Sequence, residues 1–255
     1  MRNIPGLAIA FTLATATLAA AQGQRAVERG PAAELPKTLK AAAPIDLAGT
    51  WVSVITEDWR WRMMTPPRYD YAAIPLNAHG REVADNWDPR ADETDNLQCK
   101  IFGAVGVMRQ PGRLKIEWTD DNTLRVDTDA GTQTRVFQFG KPAATPGKRT
   151  WQGNSVAIWE ARSANNQAKS ARYLKVTTTN MLAGYLRKNG VPYGDSAVLT
   201  EYYDLFQERD GTTMMFVTAV VQDPVYLEQR YIVISHFRKE PDGSKWDPSP
   251  CSARW

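Results

Sequence analysis

The chain has 255 residues and a formal net charge of +3 at pH 7. This length allows one large domain or two small ones, and the 43% of hydrophobic residues suffices for a sizeable core without metals or many disulfides. Lysines and arginines are scattered among acids rather than grouped in a basic stripe, so nucleic-acid binding is disfavoured.

The first residues predict export. Arg2 precedes an uncharged and mostly apolar run, residues 4–20, and residues 19–21 are three alanines that fit a cleavage site. We therefore expect a signal peptide over residues 1–21, cleaved after Ala21, and a periplasmic or secreted protein. A membrane anchor is the alternative, but the run is at the lower length limit for a span, so we expect no stable anchor.

The chain has two cysteines, Cys99 and Cys251. Because disulfides persist in exported proteins, we expect the two to pair, with two separate buried thiols as the alternative. Closing so long a loop stabilises a fold by roughly 4–5 kcal/mol in the chain-entropy model.

Composition divides the rest of the chain into two parts. Residues 22–44 are rich in Ala, Pro and charge and lack aromatics, which predicts a flexible linker. The folded domain is expected over residues 45–255. It shows no internal repeat and no second change of composition, so one domain is the default.

Most of this domain alternates apolar and polar residues with a period of two, as β-strands do. In residues 113–118, Leu114 and Ile116 share one face, and residues 120–122 form a turn to the next run. The further candidate strands are residues 123–128, 132–139, 151–160, 171–179, 197–208, 213–222 and 230–237. Helical periodicity is convincing only in residues 77–87, with Asn77 as the candidate cap.

With residues 49–62 as the first strand, we count about nine strands, joined mainly by short connections. Closure hides the edges of such a meander, so we predict an all-β fold: a single antiparallel barrel of about eight to nine strands. One short helix and a long loop after the first strand complete it. A two-sheet sandwich is the alternative. A barrel of this size encloses side chains or one small ligand.

The first predicted strand, residues 49–62, carries three tryptophans, two arginines and two carboxylates. If Trp51 points into the barrel, period-two alternation turns Glu57, Trp59 and Trp61 inward as well. The strand would then line a cavity with two indoles and one carboxylate.

A β-bulge in this strand would exchange its two faces. Asp58, Arg60 and Arg62 would then point inward and form an anion-binding wall. In a third interpretation, the two indoles pack under the loop 65–95 while the arginines reach water.

Glu201 is a candidate general acid or base. It shares a strand face with Leu199 and Tyr203. If that face is the barrel interior, burial raises the proton affinity of the carboxylate, which suits acid–base chemistry. The alternative is an exposed face on which Glu201 forms a cross-strand ion pair.

His236 is the second candidate acid or base. It lies on a late strand and shares a face with Ile232, Ile234 and Arg238. Inside a barrel, such a histidine can move protons near neutral pH. A structural role is the alternative.

Two loops are candidates for the barrel mouth. Residues 184–194 carry Tyr185, which can stack on an aromatic ligand, and Arg187, which can meet a carboxylate or phenolate. Residues 65–75, with Tyr71, are a candidate lid. Solvated hairpin loops are the alternative.

We expect neither a metal nor an organic cofactor. Neither of the two histidines belongs to a cluster with the ligand number of a zinc site. No glycine-rich loop precedes a helix, so nucleotide and dinucleotide cofactors are not indicated.

Gly49 and Trp51, at the head of the first strand, resemble the lipocalin motif in which a tryptophan closes the barrel end under an arginine from a late strand. The resemblance implies a lipocalin-like barrel and makes Arg238 the candidate stacking arginine.

A second resemblance covers nearly all of the mature chain. It rests on residues 99–108, 150–160, 189–204 and 220–231, which look like a broad group of exported bacterial β-proteins without a general assigned function. It implies compartment and architecture, and it places Arg109 near the mouth.

The first functional hypothesis is an exported protein that binds an apolar or aromatic small molecule inside the barrel. The predicted ligand contacts are Trp59, Trp61, Arg60, Arg62, Tyr71, Tyr185, Arg187 and Tyr203. The second is a cofactor-independent lyase, isomerase or hydratase in which Glu201, Glu57 and His236 move protons. The third is a structural or partner-binding envelope protein. The sequence identifies neither the ligand nor the oligomeric state.

Overall fold

Eleven β-strands and four short α-helices are present in the computed structural model, which describes residues 38–140, 147–161 and 172–254. The strands are β1 (Gly49–Val54), β2 (Arg113–Asp120), β3 (Thr123–Thr128), β4 (Gln133–Phe139), β5 (Asn154–Ala161), β6 (Arg172–Thr179), β7 (Gly184–Tyr185), β8 (Pro192–Tyr193), β9 (Val198–Gln207), β10 (Thr213–Gln222) and β11 (Tyr231–Glu240). The helices are α1 (Trp59–Arg62), α2 (Ala78–Asp85), α3 (Pro89–Thr94) and α4 (Ala104–Val107). The predicted signal peptide, residues 1–21, and residues 22–37 of the predicted linker lie outside the described residues.

Nine of these strands close into a barrel in the order β1-β11-β10-β9-β6-β5-β4-β3-β2, while β7 and β8 form a separate hairpin. The all-β barrel prediction is confirmed. Neighbouring strands are antiparallel except β4 and β5, where Phe137 lies opposite Ser155 in a parallel pair. An odd number of strands cannot alternate in direction around a closed ring, so one parallel pair is required. It is a departure from the antiparallel arrangement that we expected.

Apolar side chains fill the barrel interior. They come from the alternating inward positions of the strands, as the period of two requires. The buried residues of this core include Trp51, Leu114, Ile116, Leu124, Val126, Phe137, Leu174, Val176, Tyr203, Met215, Val217 and Phe237. These side chains occupy the space in which the predicted ligand cavity would lie.

A lysine, rather than an arginine, lies over Trp51. The Lys239 Nζ atom is 5.3 Å from the centre of the indole ring, and Trp51 and Lys239 are opposite each other in the β1–β11 register. Arg238 is the next residue back along β11, so its side chain points outward and is exposed. The stacking arginine expected from the lipocalin resemblance is therefore replaced by Lys239.

The first strand is shorter than predicted. β1 ends at Val54, Asp58 adopts a left-handed backbone with φ of 53°, and α1 begins at Trp59. The prediction of one strand over residues 49–62 is therefore wrong beyond Val54. Alternation of Trp and Arg in residues 59–62 imitates a strand, but the helical turn buries Arg62 and leaves Trp59 exposed.

Residues 38–48 close the barrel end at which β1 starts. Leu39 packs against the core, and its carbonyl accepts a hydrogen bond of 3.1 Å from Trp159 Nε1. Trp118, Phe139 and Trp159 stack in sequence, with ring centres 5.3 Å apart in each pair. The last seven residues of the predicted linker, 38–44, thus belong to the folded part of the chain.

The helices and the β7–β8 hairpin cover the opposite barrel end. Here a second buried cluster joins residues of α2 and α4 to Leu199, Val221 and Tyr231 on the barrel strands. The predicted helix over residues 77–87 is confirmed by α2, whose cap residue Asn77 accepts a hydrogen bond of 2.8 Å from the Gly80 amide. None of the described helices combines the length and apolar composition needed to cross a bilayer.

Cys99 and Cys251 form a disulfide across a sequence separation of 152 residues, which confirms the predicted pairing. It ties the segment after α3 to the C-terminal tail. The tail is also held by hydrogen bonds of 2.9 Å between the Ser249 backbone and residues Asp129 and Thr132. A disulfide of this kind is compatible with an exported protein.

Candidate functional site

Three buried arginines meet at the covered end of the barrel. Arg62 comes from α1, Arg109 follows α4, and Arg187 lies in the turn between β7 and β8. Their exposed fractions are 2%, 6% and 4%, respectively. Buried arginines are rare unless they are paired, so we name these three residues the arginine cluster and ask what pairs them.

Two carboxylates serve the three guanidinium groups. Arg62 pairs with Glu57, and Arg109 Nη2 lies 2.6 Å from an Asp58 carboxylate oxygen. Arg62 Nε also donates to the Arg109 carbonyl at 3.1 Å. For Arg187, no carboxylate partner within ion-pair distance is found in the described part of the chain.

Arg187 is instead stacked on an aromatic ring. Its guanidinium carbon is 4.4 Å from the centre of the Trp61 ring. The Nε and Nη1 atoms of Arg187, and Nη2 of Arg62, have no hydrogen-bond partner among the described residues. The Tyr231 hydroxyl is close enough to Arg187 to raise the pKa of its guanidinium, but it too lacks a hydrogen-bond partner of regular geometry among those residues.

Electrostatics make this cluster attractive to an anion. Burial, with repulsion from Arg109, lowers the pKa of Arg62 to about 10, although Glu57 and Asp58 oppose the shift. Burial likewise lowers the pKa of Arg187. A lowered pKa means that the charged guanidinium is under-compensated, and a bound anion would stabilise it.

A small cavity lies between the arginines. Its lining residues are Trp61, Arg62, Arg109, Gln110, Leu186, Arg187 and Lys188. Its volume is about 10 Å³, which is space for roughly one water molecule. As it stands, the cavity can accept one small polar group.

Asp70 holds this site together. One of its carboxylate oxygens accepts hydrogen bonds from Arg60 Nη2 at 2.7 Å and Trp61 Nε1 at 3.1 Å, and its carbonyl accepts one from the Asn189 amide at 3.1 Å. Burial opposes ionisation of Asp70, but the hydrogen bond from Trp61 and the charge of Arg60 prevail and hold the pKa of its carboxyl below the usual value. The residue therefore links α1 to the β7–β8 turn that carries Arg187.

Glu57 and His236 are brought together beside the cluster. His236 Nδ1 is 3.1 Å from a Glu57 carboxylate oxygen and 3.0 Å from the Thr56 hydroxyl. The other Glu57 oxygen binds Arg62. His236 lies on the outer face of β11, between exposed Ile234 and exposed Arg238, so it is outside the barrel rather than within it.

Glu201 lies apart from that pair, on the inner face of the barrel wall. Arg135 binds both of its carboxylate oxygens, at 2.9 and 2.6 Å, and the Tyr203 hydroxyl donates to one of them at 3.1 Å. Although burial opposes it, the Glu201 carboxylate raises the pKa of Arg135. Arg135 was not among the predicted residues, but it shares the inward face of β4 with Phe137, which is a signal the alternation contained.

The remaining predicted ligand contacts are dispersed. Tyr71 donates a hydrogen bond of 2.7 Å to Asp85, and Tyr185 donates one of 2.7 Å to Asp92. Tyr203 belongs to the barrel core, and Trp59 is exposed. Of the predicted contacts, the structure gathers Trp61, Arg62 and Arg187 around one cavity, with Arg60 bound to Asp70 beside them.

Sequence reasoning missed Gln110 and Lys188 as wall residues, and only the family resemblance placed Arg109 near the mouth. No group of three or more His, Cys, Asp or Glu side chains is arranged as metal ligands in the described ranges. Comparisons of the chain with protein-family models, with curated protein sequences and with solved structures find no match.

Proposed function

We propose that this protein is an exported, lipocalin-like barrel that binds a small organic anion at the arginine cluster. The ligand would be a carboxylate or phenolate attached to an apolar or aromatic body. One observation carries the proposal: three buried guanidinium groups share two carboxylates, and three of their nitrogens have no hydrogen-bond partner among the described residues. A buried donor without a partner costs about 1–3 kcal/mol, and more when it is charged.

The charge balance supports an anionic ligand. Arg62, Arg109 and Arg187 carry three positive charges, and Glu57 and Asp58 carry two negative charges, which leaves one positive charge in excess. A carboxylate is a planar two-oxygen acceptor that arginine can bind with two parallel hydrogen bonds. A bound carboxylate would neutralise the excess positive charge and accept hydrogen bonds from the arginine nitrogens that have no partner.

The cavity also restricts the ligand. A volume of about 10 Å³ holds roughly one water molecule, so a carboxylate would enter only if the β7–β8 turn moved outward. Trp61 and Leu186 supply an apolar wall for the ligand body. Because both the carboxylate and the ligand body need this movement, we expect binding to be slow relative to diffusion.

Calorimetry with matched ligands tests the proposal. We expect benzoate and phenylacetate to bind and benzyl alcohol, a neutral analogue, not to bind. Arg187→Met should weaken benzoate binding by about tenfold or more, because it removes a charged donor from the site. The same change should leave the unfolding free energy unchanged or raised, because it removes a buried charge that has no carboxylate partner.

Arg238→Met is the matched control, since Arg238 is an exposed arginine on the outer face of the barrel. It should bind benzoate as the wild type does. Equal binding of benzoate and benzyl alcohol, or full affinity in Arg187→Met, would refute the proposed site.

A second candidate function is supported by the Glu57–His236 contact of 3.1 Å. A carboxylate beside an imidazole can act as a general acid–base pair, which fits a cofactor-independent lyase, isomerase or hydratase. Conversion of a bound acid to a product of altered retention or mass, lost in His236→Ala and Glu57→Gln but retained in Glu201→Gln, would favour this function over simple binding.

A further inference from the structure

Four large apolar side chains project into solvent from one short segment. Trp59, Met63, Met64 and Tyr69 have exposed fractions of 60%, 54%, 66% and 69%. We call residues 59–69 the apolar loop. Single exposed apolar residues are ordinary on protein surfaces, but four of them within eleven consecutive residues indicate an interaction surface.

The fold holds these side chains outward. Met63 donates its backbone amide to the Trp59 carbonyl at 2.9 Å, so the two residues stand one helical turn apart on the same face of α1. Trp61 and Arg62, on the other face, line the arginine cluster. The outward side chains therefore do not line that cavity, and the small anion is not their partner.

The charge on this surface is positive. The apolar loop contains three arginines and no carboxylate. Arg62 is buried, whereas Arg60 and Arg68 are exposed. Arg68 donates to a neutral carbonyl, that of Trp87, so this contact does not cancel its charge.

Asp70 neutralises Arg60 through an ion pair of 2.7 Å, so the net positive charge of this surface comes from Arg68. Asp58 and Asp70 are partly buried and are paired with Arg109 and Arg60. In a symmetric dimer formed through this surface, the Arg68 side chains of both copies would lie in the same interface. This like-charge contact disfavours a symmetric dimer.

We propose that the apolar loop docks reversibly on an anionic phospholipid surface. Tryptophan and tyrosine favour the boundary between head groups and acyl chains, where an apolar ring and a polar tip are both satisfied. The methionines would enter the same layer. Arg68 would meet a lipid phosphate and contribute an attraction that salt weakens. This contact is independent of the anion site and would persist if that site bound nothing.

Co-sedimentation of the purified protein with vesicles tests this surface. We expect binding to phosphatidylcholine vesicles that contain about 30% phosphatidylglycerol, little binding to pure phosphatidylcholine, and release by high salt. The double variant Trp59→Ser/Met63→Ser should lower the bound fraction by about tenfold or more at limiting lipid. Both side chains are exposed, so its thermal midpoint should match that of the wild type.

Ile232→Ser is the matched control, because Ile232 is equally exposed, at 59%, but lies on β11. It should bind vesicles like the wild type. Equal binding to both vesicle types, or unchanged binding of the double variant, would overturn the proposal. So would concentration-dependent dimerisation of the wild type that the double variant abolishes, because a second copy would then be the partner.

Discussion

Arg135 and Glu201 form an ion pair that is completely enclosed in the barrel. Both guanidinium–carboxylate hydrogen bonds are short, and Tyr203 supplies a further donor. Taking two charges out of water is unfavourable, and such a pair stabilises a fold only while both members are present. The pair is therefore satisfied only when the barrel brings the inward faces of β4 and β9 together across its interior. It favours this arrangement of the strands without being a large source of stability.

We predict that Glu201→Leu and Arg135→Met each lower the unfolding free energy by about 3–5 kcal/mol, because each leaves a buried charge without its partner. The double variant Arg135→Met/Glu201→Leu should lose less than either single variant. Urea denaturation of the four proteins measures this cycle. Additive losses would mean that the two side chains do not depend on each other.

Alternation placed Glu201 on one strand face with Leu199 and Tyr203 but left open whether that face is the barrel interior. Arg135 shares its inward face of β4 with Phe137, yet the sequence pattern is equally compatible with an arginine that points outward to water. Which acid it meets depends on barrel closure, because β4 and β9 are far apart in sequence and are not neighbours in the sheet. Sequence alone does not supply that information.

At the scale of elements, α1 is held by one carboxylate. Asp70 accepts from Arg60 and Trp61 and thereby fixes both faces of the helical turn. Its lowered pKa means that the folded protein favours the ionised form more than the unfolded chain does. The resulting stabilisation is fully present above the unfolded pKa of about 3.9 and is lost as pH falls through the lower, folded value.

We predict that Asp70→Asn lowers the thermal midpoint at pH 6 and that this difference shrinks progressively below pH 4. Calorimetric scans of the wild type and the Asp70→Asn variant from pH 2.5 to pH 7 measure this difference in thermal midpoint. Asp210→Asn is the control, because Asp210 also has a lowered pKa but lies in an exposed turn away from α1. A pH-independent difference for Asp70→Asn would show that packing, and not the carboxylate charge, holds the helix.

The bounds of the strands with regular apolar–polar alternation could be predicted from the sequence, whereas the helical turn at residues 59–62 could not. β2, β3, β9, β10 and β11 lie close to their predicted ranges. The run from Trp59 to Arg62 alternates too, but the left-handed Asp58 turns the chain before it, and Asp70 then stabilises the helical turn. Both causes depend on tertiary context, which the local pattern does not contain.

At the scale of the whole molecule, the pKa values of the tyrosines show how strongly the fold buries their phenol groups. Burial raises the pKa of Tyr71 to about 12, and it also raises the pKa of Tyr185, Tyr193 and Tyr203. The folded protein therefore keeps these phenols neutral at a pH where the unfolded chain ionises them. Their contribution to stability is complete below about pH 10 and is lost as pH rises through the folded values.

We predict that phenolate absorbance shows fewer than the nine tyrosines ionising between pH 10 and pH 11 in the folded protein, with the remainder appearing only on unfolding. The urea midpoint should fall steeply above pH 10. Tyr71→Phe should make that fall shallower, whereas Tyr69→Phe, which removes an exposed tyrosine, should not. Ionisation of all nine together near pH 10 without unfolding would contradict the burial argument.

The disulfide closes the chain between Cys99 and Cys251 into a covalent ring, and β1 lies outside this ring. Of the nine barrel strands described, the eight from β2 to β11 lie between Cys99 and Cys251, and β1 lies before the ring. One peptide-bond break within the ring, such as at the exposed Asp210–Gly211 turn, leaves both pieces joined. One break in the apolar loop instead separates β1 covalently from the ring, and β1 is then held only by non-covalent contacts, namely its ladders to β2 and β11 and the core packing of Trp51. The surface proposed to meet lipid is thus also the place where the barrel can be opened by a single cut.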